Sequence, residues 1–328
     1  MKRPVPPVRV AAVCVRGKRC TNLAHNPRRL DLLERVIDNL DKAAWPELEA
    51  VLLPGGFLRL GRSLADLTFD GRAAVLARTR IGRRLLRLAR RLDQSHPGAL
   101  LVVGIDGDTL GEGDDQFCAA LGPFGIVGLA RKIFPTDKDT ENPKRTVTPR
   151  LADYDCPGRI VALRSGRRAA LCACYDVFGF HEGPDSGSVR TRAIRRLHDG
   201  GRMIDANTPG FADLRRAALA AWQARWRGAE ISLALTAVHG FECAGRDGYW
   251  QRHGMASAAA IIGGASIGAA HFEDGLPEPE ASTLVAANVS KAHLKAGPHR
   301  RAHAHPPINS LTVRKGGRSA ALVRLFEV

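Results

Sequence analysis

The sequence lacks most of the features that would assign it at a glance. Cysteine is sparse, seven in 328 residues. No two stand in a C-x-x-C pair, so a disulfide scaffold, a zinc ribbon and a thioredoxin-type redox motif are excluded. Aromatic residues make up 5%, which leaves few platforms on which single-stranded nucleic acid would stack. There is no P-loop, and the glycines of Gly104–Gly113 do not spell G-x-G-x-x-G. Long apolar runs are missing too. The longest stretch without a charged residue, Gly254–Phe272, is mostly Ala, Gly, Ser and Ile, and reads as a buried helix running into a strand rather than a membrane span. Near the N-terminus the apolar run Val10–Val15 is short for a signal peptide. The expectation is a soluble, cytoplasmic chain with no membrane contact, no metal and no cofactor.

What the sequence has in excess is positive charge. Lys and Arg number 49 against 33 Asp and Glu, a formal net charge of +16. The surplus is clustered: residues 1–30 carry eight basic residues and no acidic one, and Arg72–Arg91 carries eight Arg. The stretch Lys291–Arg318 carries seven Lys and Arg with four His. Such a field attracts polyanions, including nucleic acid, whatever the fold. In the middle cluster, however, Ile81, Leu85, Leu88, Ala89 and Leu92 recur at helical spacing with arginines between them. That is an amphipathic helix with a charged outer face. With no helix-turn-helix or finger signature beside it, nucleic acid is the minor reading for a partner.

Along the chain, Val8–Val15 reads as a strand, and a helix opens at Asn26-Pro27 with Leu30, Leu33, Val36, Ile37 and Leu40 on one face. Strand Ala50–Leu53 is stopped by Pro54-Gly55-Gly56. The Arg-rich helix and the strand Leu100–Ile105 complete β-α-β-α-β, the order of a layered α/β sheet. Two hairpins follow, Phe117–Leu121 with Ile126–Ile133 and Arg159–Leu163 with Arg168–Tyr175. A helix over Phe211–Trp226, a strand over Ile231–Val238 and an Ala-rich helix over Tyr249–Ile262 come next. Residues 1–285 are expected to form one domain, and 286–328 a basic extension ending in a strand, Ala320–Val328. The segment Glu182–Gly210 is read as a loop able to cover a site.

Three signals stand at the ends of expected strands, where α/β proteins place their chemistry. They are Pro54-Gly55-Gly56, the run Ala130-Arg131-Lys132-Ile133-Phe134-Pro135-Thr136, and Leu171-Cys172-Ala173-Cys174-Tyr175-Asp176. In this order and spacing the sequence resembles the nitrilase, or carbon–nitrogen hydrolase, superfamily over roughly residues 8–285. The resemblance implies a four-layer αββα sandwich, commonly paired into a homodimer. It also implies a Cys nucleophile at Cys174, a lysine at Lys132, and an oxyanion site formed by Lys132 with the backbone N–H of Tyr175. Amide, carbamoyl or nitrile carbon would be attacked by the thiolate, ammonia or amine would leave, and water would resolve the thioester.

One part of the pattern is missing. The family's first glutamate, which carries the proton, falls on Gly55. A general base contributes about 10²–10⁴-fold, so a replacement is required for activity. Glu49, roughly 20 Å back along its strand, is out of reach. Asp106, Asp108 and Glu112 follow the neighbouring strand at its C-terminal end. Asp139 and Glu141 lie near where members of the family keep a second carboxylate. Three functions follow: a C–N hydrolase with a displaced base, a catalytically impaired relative acting as a binding or scaffold protein, or a nucleic-acid-binding protein. Gly264–Gly268 spells a nucleophile elbow with His271 and Asp274 nearby, but it follows a helix where an elbow follows a strand. His181-Glu182 reads as structural, and His299, His303 and His305 as part of a solvated tail.

Overall fold

The computed structural model describes residues 7–109, 113–134, 150–180, 194–199, 202–227, 229–241, 250–272, 282–285 and 305–328. In chain order these form β1 (Arg9–Arg16), α1 (Asn26–Lys42), β2 (Ala50–Leu52), β3 (Leu58–Leu60), α2 (Phe69–Arg78), α3 (Arg80–Ser95), β4 (Leu100–Thr109), β5 (Gly113–Gly122) and β6 (Gly125–Arg131). Then come α4 (Leu151–Tyr154), β7 (Ile160–Ala162), β8 (Arg168–Ala173), α5 (Asp176–Gly179), β9 (Arg196–Asp199), β10 (Arg202–Asp205), α6 (Phe211–Arg227) and β11 (Ile231–Ala237). Last are α7 (Ala256–Ile262), β12 (Ala265–Ala269), β13 (His271–Phe272), β14 (Ser282–Val285), β15 (Asn309–Lys315) and β16 (Arg318–Glu327).

The strands build two main sheets. One runs β15-β16-β1-β2-β4-β5-β6, with β13 joined to β1 and β3 to β4; the other runs β14-β12-β11-β8-β7. β1, β2 and β4 are mutually parallel, and so are β8, β11 and β12. Parallel strands must be buried on both faces, which is why these segments read as unbroken apolar runs. Val10, Ala12, Leu52, Val102 and Ala120 of the first sheet share one core with Leu171, Leu233, Leu235 and Ile267 of the second. A second core joins the other face of the large sheet to α1, α2 and α3. A third joins the small sheet to α6 and α7 through Trp222, Trp226, Ala258 and Ala259.

The expected helix over the Arg-rich stretch is α3, with Leu85, Leu88, Ala89 and Leu92 buried. Two of its arginines are tied to α1 by ion pairs, Arg84 to Asp31 at 2.5 Å and to Glu34 at 3.2 Å, and Arg91 to Asp38. Part of the charge cluster therefore serves helix–helix contact. Some boundaries move. The expected strand Arg168–Tyr175 stops at Ala173, because Cys174 takes φ +50°. Leu100–Ile105 continues to Thr109. The expected helix Tyr249–Ile262 is regular only from Ala256, with a wider π-helical turn over Gln251–Met255 before it. Residues 286–328, read as an extension, end in a hairpin that belongs to the large sheet, with β16 antiparallel to β1 over Arg9–Val15. Within Glu182–Gly210, β9 and β10 form a separate hairpin, while residues 182–193 lie outside the described residues. No helix among the described residues is long and apolar enough to cross a membrane.

Candidate active site

Three strand ends and the middle of β4, from two sheets, converge on one place. Cys174 follows β8 and is 6% exposed. Its backbone leaves the sheet in the left-handed region, φ +50°, a conformation that costs a non-glycine residue of order 1–3 kcal/mol and is held only where the surroundings impose it. Two contacts impose it here. The Cys174 N–H donates to the Ala237 carbonyl at 2.9 Å. Behind it, the Asp176 carboxylate accepts from the Ala173 N–H at 3.2 Å, and from the Ile133 and Phe134 N–H groups at 2.9 and 3.2 Å. Asp176 thus ties the cysteine turn to the end of β6, and Arg159 donates to it at 3.1 Å from a fully buried position. Asp176 bonds its own turn and also fixes the lysine segment.

Lys132, the first residue past β6, is buried. Its N–H donates to the Gln116 carbonyl at 2.8 Å and its Nζ to Gln116 Oε1 at 3.0 Å, so β5 aims the ammonium. The charge stands 5.8 Å from the centre of the Tyr175 ring. Tyr175 in turn stacks on Phe178 at 4.7 Å and meets Trp250 edge-on at 5.1 Å, which gives the turn an aromatic backing.

The remaining member was not singled out in the sequence. His239 lies two residues beyond β11, the strand parallel to β8. Its Nε2 meets Asp106 Oδ1 at 2.9 Å and Oδ2 at 3.2 Å, and the imidazole and the Cys174 thiol act on each other's titration. Asp106 on β4 is wholly buried and also receives Arg19 at 3.3 Å. His239 keeps 18% of its side chain exposed, so the cluster is reached from its side. His271 braces the loops: its N–H donates to the His239 carbonyl at 3.3 Å, and its Nε2 to the Gly55 carbonyl at 3.1 Å. The strand-end rule that flagged Cys174 and Lys132 applies equally to His239. Nothing else in its local sequence distinguishes it.

Electrostatics separates these groups from their neighbours. Burial alone would raise the Cys174 thiol, but the Lys132 ammonium and the hydrogen bond to His239 outweigh it and hold the thiol below its ordinary 9.0. Burial would likewise lower His239, yet the Asp106 carboxylate and the Cys174 sulfur push it up to about 9. Asp106 is held below its usual range despite burial, by His239 and then Arg19. His271 is driven well below 6.5 by burial and by Arg29, and stays neutral. The arrangement sets a cysteine whose thiol is lowered beside a buried lysine and a histidine that is raised, the setting in which a thiol gains nucleophilic character.

Of the sequence candidates, the structure brings together Cys174, Lys132, Tyr175 and Asp106. Asp106 does not face the sulfur directly as a base, because His239 stands on its carboxylate. The side chain of Asp108, together with Glu112, Asp139 and Glu141, lies outside the described residues, as do His181, Glu182, Asp274, His299 and His303. Glu49 is far from the site and accepts from the Ser165 N–H. Among the described residues no cluster of His, Cys, Asp and Glu is suited to a metal ion.

No protein-family profile and no curated protein matches the sequence. Solved structures similar to this chain are nitrilase-superfamily amidases. An amidase from Nesterenkonia sp. is 17% identical, with 97% of this chain and 90% of that one covered and a TM-score of 0.48. A variant of it, with acrylamide added at the active-site cysteine, is 16% identical over 97% and 92% at a TM-score of 0.49. Likeness at this level leaves the chemistry to be judged from the geometry above.

Proposed function

We propose that this chain is a cysteine-dependent carbon–nitrogen hydrolase, a four-layer αββα sandwich in which Cys174 attacks the carbon of an amide, carbamoyl or nitrile substrate. The observation that carries the reading is Cys174 on a strained left-handed turn, with the buried Lys132 ammonium, aimed by Gln116, acting on its thiol. A cysteine buried only for packing has no use for either. The oxyanion of the tetrahedral adduct would be held by the Lys132 ammonium and the Tyr175 N–H, stabilisation worth about 10²–10³ in rate for one donor. Loss of ammonia or amine leaves a thioester on Cys174, and hydrolysis frees the acid.

The test is ammonia release from a panel of primary amides, N-carbamoyl compounds and nitriles. The wild-type protein should turn over at least one of them, and Cys174→Ala should abolish it with circular dichroism unchanged. A second reading, a non-catalytic relative that binds ligands or serves as a scaffold, draws on Gly55 where the resemblance calls for glutamate. It requires a thiol that resists iodoacetamide at neutral pH. Pairing into a homodimer is part of the proposal, and light scattering at twice the chain mass is its check.

A further inference from the structure

We propose that His239, positioned by Asp106, is the proton carrier of this site and occupies the room that Gly55 and Gly56 leave open. The inference rests on Cys174 being the nucleophile. It replaces a carboxylate base by an imidazole–carboxylate pair supplied from a different strand in each sheet.

Space argues first. A Cβ on Gly55 would lie 2.8 Å from His239 Nδ1 and 2.9 Å from the Ala237 carbonyl oxygen; one on Gly56 would lie 2.7 Å from Asp106 Oδ2 and 3.0 Å from His239 Cδ2. A side chain at 55 and the imidazole compete for one volume. The glycine that breaks the sequence pattern is therefore what admits the histidine.

Elimination argues second. The buried carboxylates described at this end of the sheets are occupied by donors: Asp106 by His239 and Arg19, Asp176 by three N–H groups and Arg159, and Asp115 by Ser63, the Leu64 N–H and Arg131. After Lys132, His239 is the group that acts most on the Cys174 thiol. With Nε2 on Asp106, we assign the sulfur to Nδ1, which faces the same space beside Gly55 as the Ala237 carbonyl that accepts from the Cys174 N–H. The charged and titratable groups around it are Asp106 on β4, Cys174 after β8, Lys132 after β6, His271 on β13, and Arg19 and Arg59, which act through Asp106.

The steps balance with these groups and water. The Cys174 thiolate forms a C–S bond to the carbonyl carbon, and the π pair moves to oxygen. The oxyanion collapses, the C–N bond breaks, and the imidazolium proton of His239 goes to the leaving nitrogen. Neutral His239 then takes a proton from water as its oxygen attacks the thioester. The C–S bond breaks, returning thiolate and imidazolium. Asp106 stays ionised throughout and is a positioning residue: it holds the ring and stabilises its protonated form.

The experiment follows the pH dependence of iodoacetamide alkylation at Cys174, located by peptide mass spectrometry, in the wild type and in His239→Gln, alongside amide turnover. We expect the variant's thiol to titrate higher by a unit or more, so that alkylation near pH 6.5 falls about tenfold or more. Turnover should fall about 10²–10⁴-fold. Superimposable alkylation profiles and undiminished turnover would overturn the assignment. A His239-dependent profile in a wild type that turns over no amide, carbamoyl compound or nitrile would uphold the pair and refute the hydrolase reading instead. Nitrogen-15 NMR of the folded wild-type protein needs no His239 variant. The His239 ring should titrate near 9, and lower by a unit or more in Cys174→Ala and in Asp106→Asn. Titration at or below 6.5, the ordinary histidine value, would overturn it.

Discussion

At the scale of single residues, the described cysteines supply their own control. Burial pushes the Cys118 thiol up to about 12 and Cys172 well above its ordinary value. Cys174 is also buried but moves the other way, because a lysine and a histidine act on it. Replacing Lys132 by Met should therefore act twice. Turnover should drop about 10²–10³-fold through loss of oxyanion stabilisation, and alkylation of Cys174 at neutral pH should slow. Steady-state kinetics and timed mass spectrometry check the two separately. The His239 shift also has a consequence for folding. Its pKa is raised from 6.5 to about 9, so its contribution to stability is complete below 6.5 and is lost as pH rises through about 9. Urea denaturation of wild type and His239→Gln should differ most near pH 6.5 and converge above pH 9. Cys174 and Lys132 stood out as candidates in the sequence because each follows an apolar strand within a recognisable local pattern, whereas Asp106, one of several carboxylates offered in place of the missing glutamate, lies within β4. His239 also follows an apolar strand, but a lone histidine carries no pattern. Its partner is 133 residues away, and only the fold brings them within reach.

At the scale of elements, the site depends on how closely β4 approaches the loop after β2. A Cβ on Gly104 would lie 2.2 Å from the Pro54 carbonyl oxygen and 2.4 Å from Gly55 Cα. Gly104→Ala must push that loop away, and with it the floor beneath His239. Expected are a loss of about 1–3 kcal/mol in denaturant stability from overpacking and a fall in turnover, although the substituted atom touches no reacting group. Beneath the lysine segment lies a buried ion network: Arg131 meets Asp115 at 2.7 Å and Asp153 at 3.1 Å, and Arg72 meets Asp153 at 2.6 Å. Truncating Asp153 to Ala leaves the buried Arg72 without its carboxylate and Arg131 with Asp115 alone, and should cost about 3–5 kcal/mol, read from the denaturation midpoint. The apolar strands and the two amphipathic helices were readable from periodicity. The short β3, β9 and β13 were not, since two to four residues carry no period. The end of β8 was misplaced by two residues, because the turn at Cys174 is imposed by Ala237 and Asp176 rather than by a local turn former.

At the scale of the whole molecule, the first and last described strands are neighbours in the larger sheet. β16 covers β1 from Arg9 to Val15, and the Val8 N–H and Val328 carbonyl meet at 2.9 Å. A chain ending at residue 285 would bare the edge of β1 and expose Val13 and Val15. It should be recovered aggregated or with a sharply lowered melting temperature, whereas a dispensable tail would leave melting unchanged. The order of strands foretold a layered α/β molecule, but the tail's composition, basic and proline-broken, concealed that its last strand is structural.

The most direct measurement of the central claim is the intact mass of the protein quenched in acid after mixing with 4-nitrophenyl acetate, a general acyl donor. One acetyl group should appear on the peptide carrying Cys174, should be removed by hydroxylamine as a thioester is, and should be absent in Cys174→Ala. Acetylation confined to lysines, with Cys174 unmodified, would contradict it.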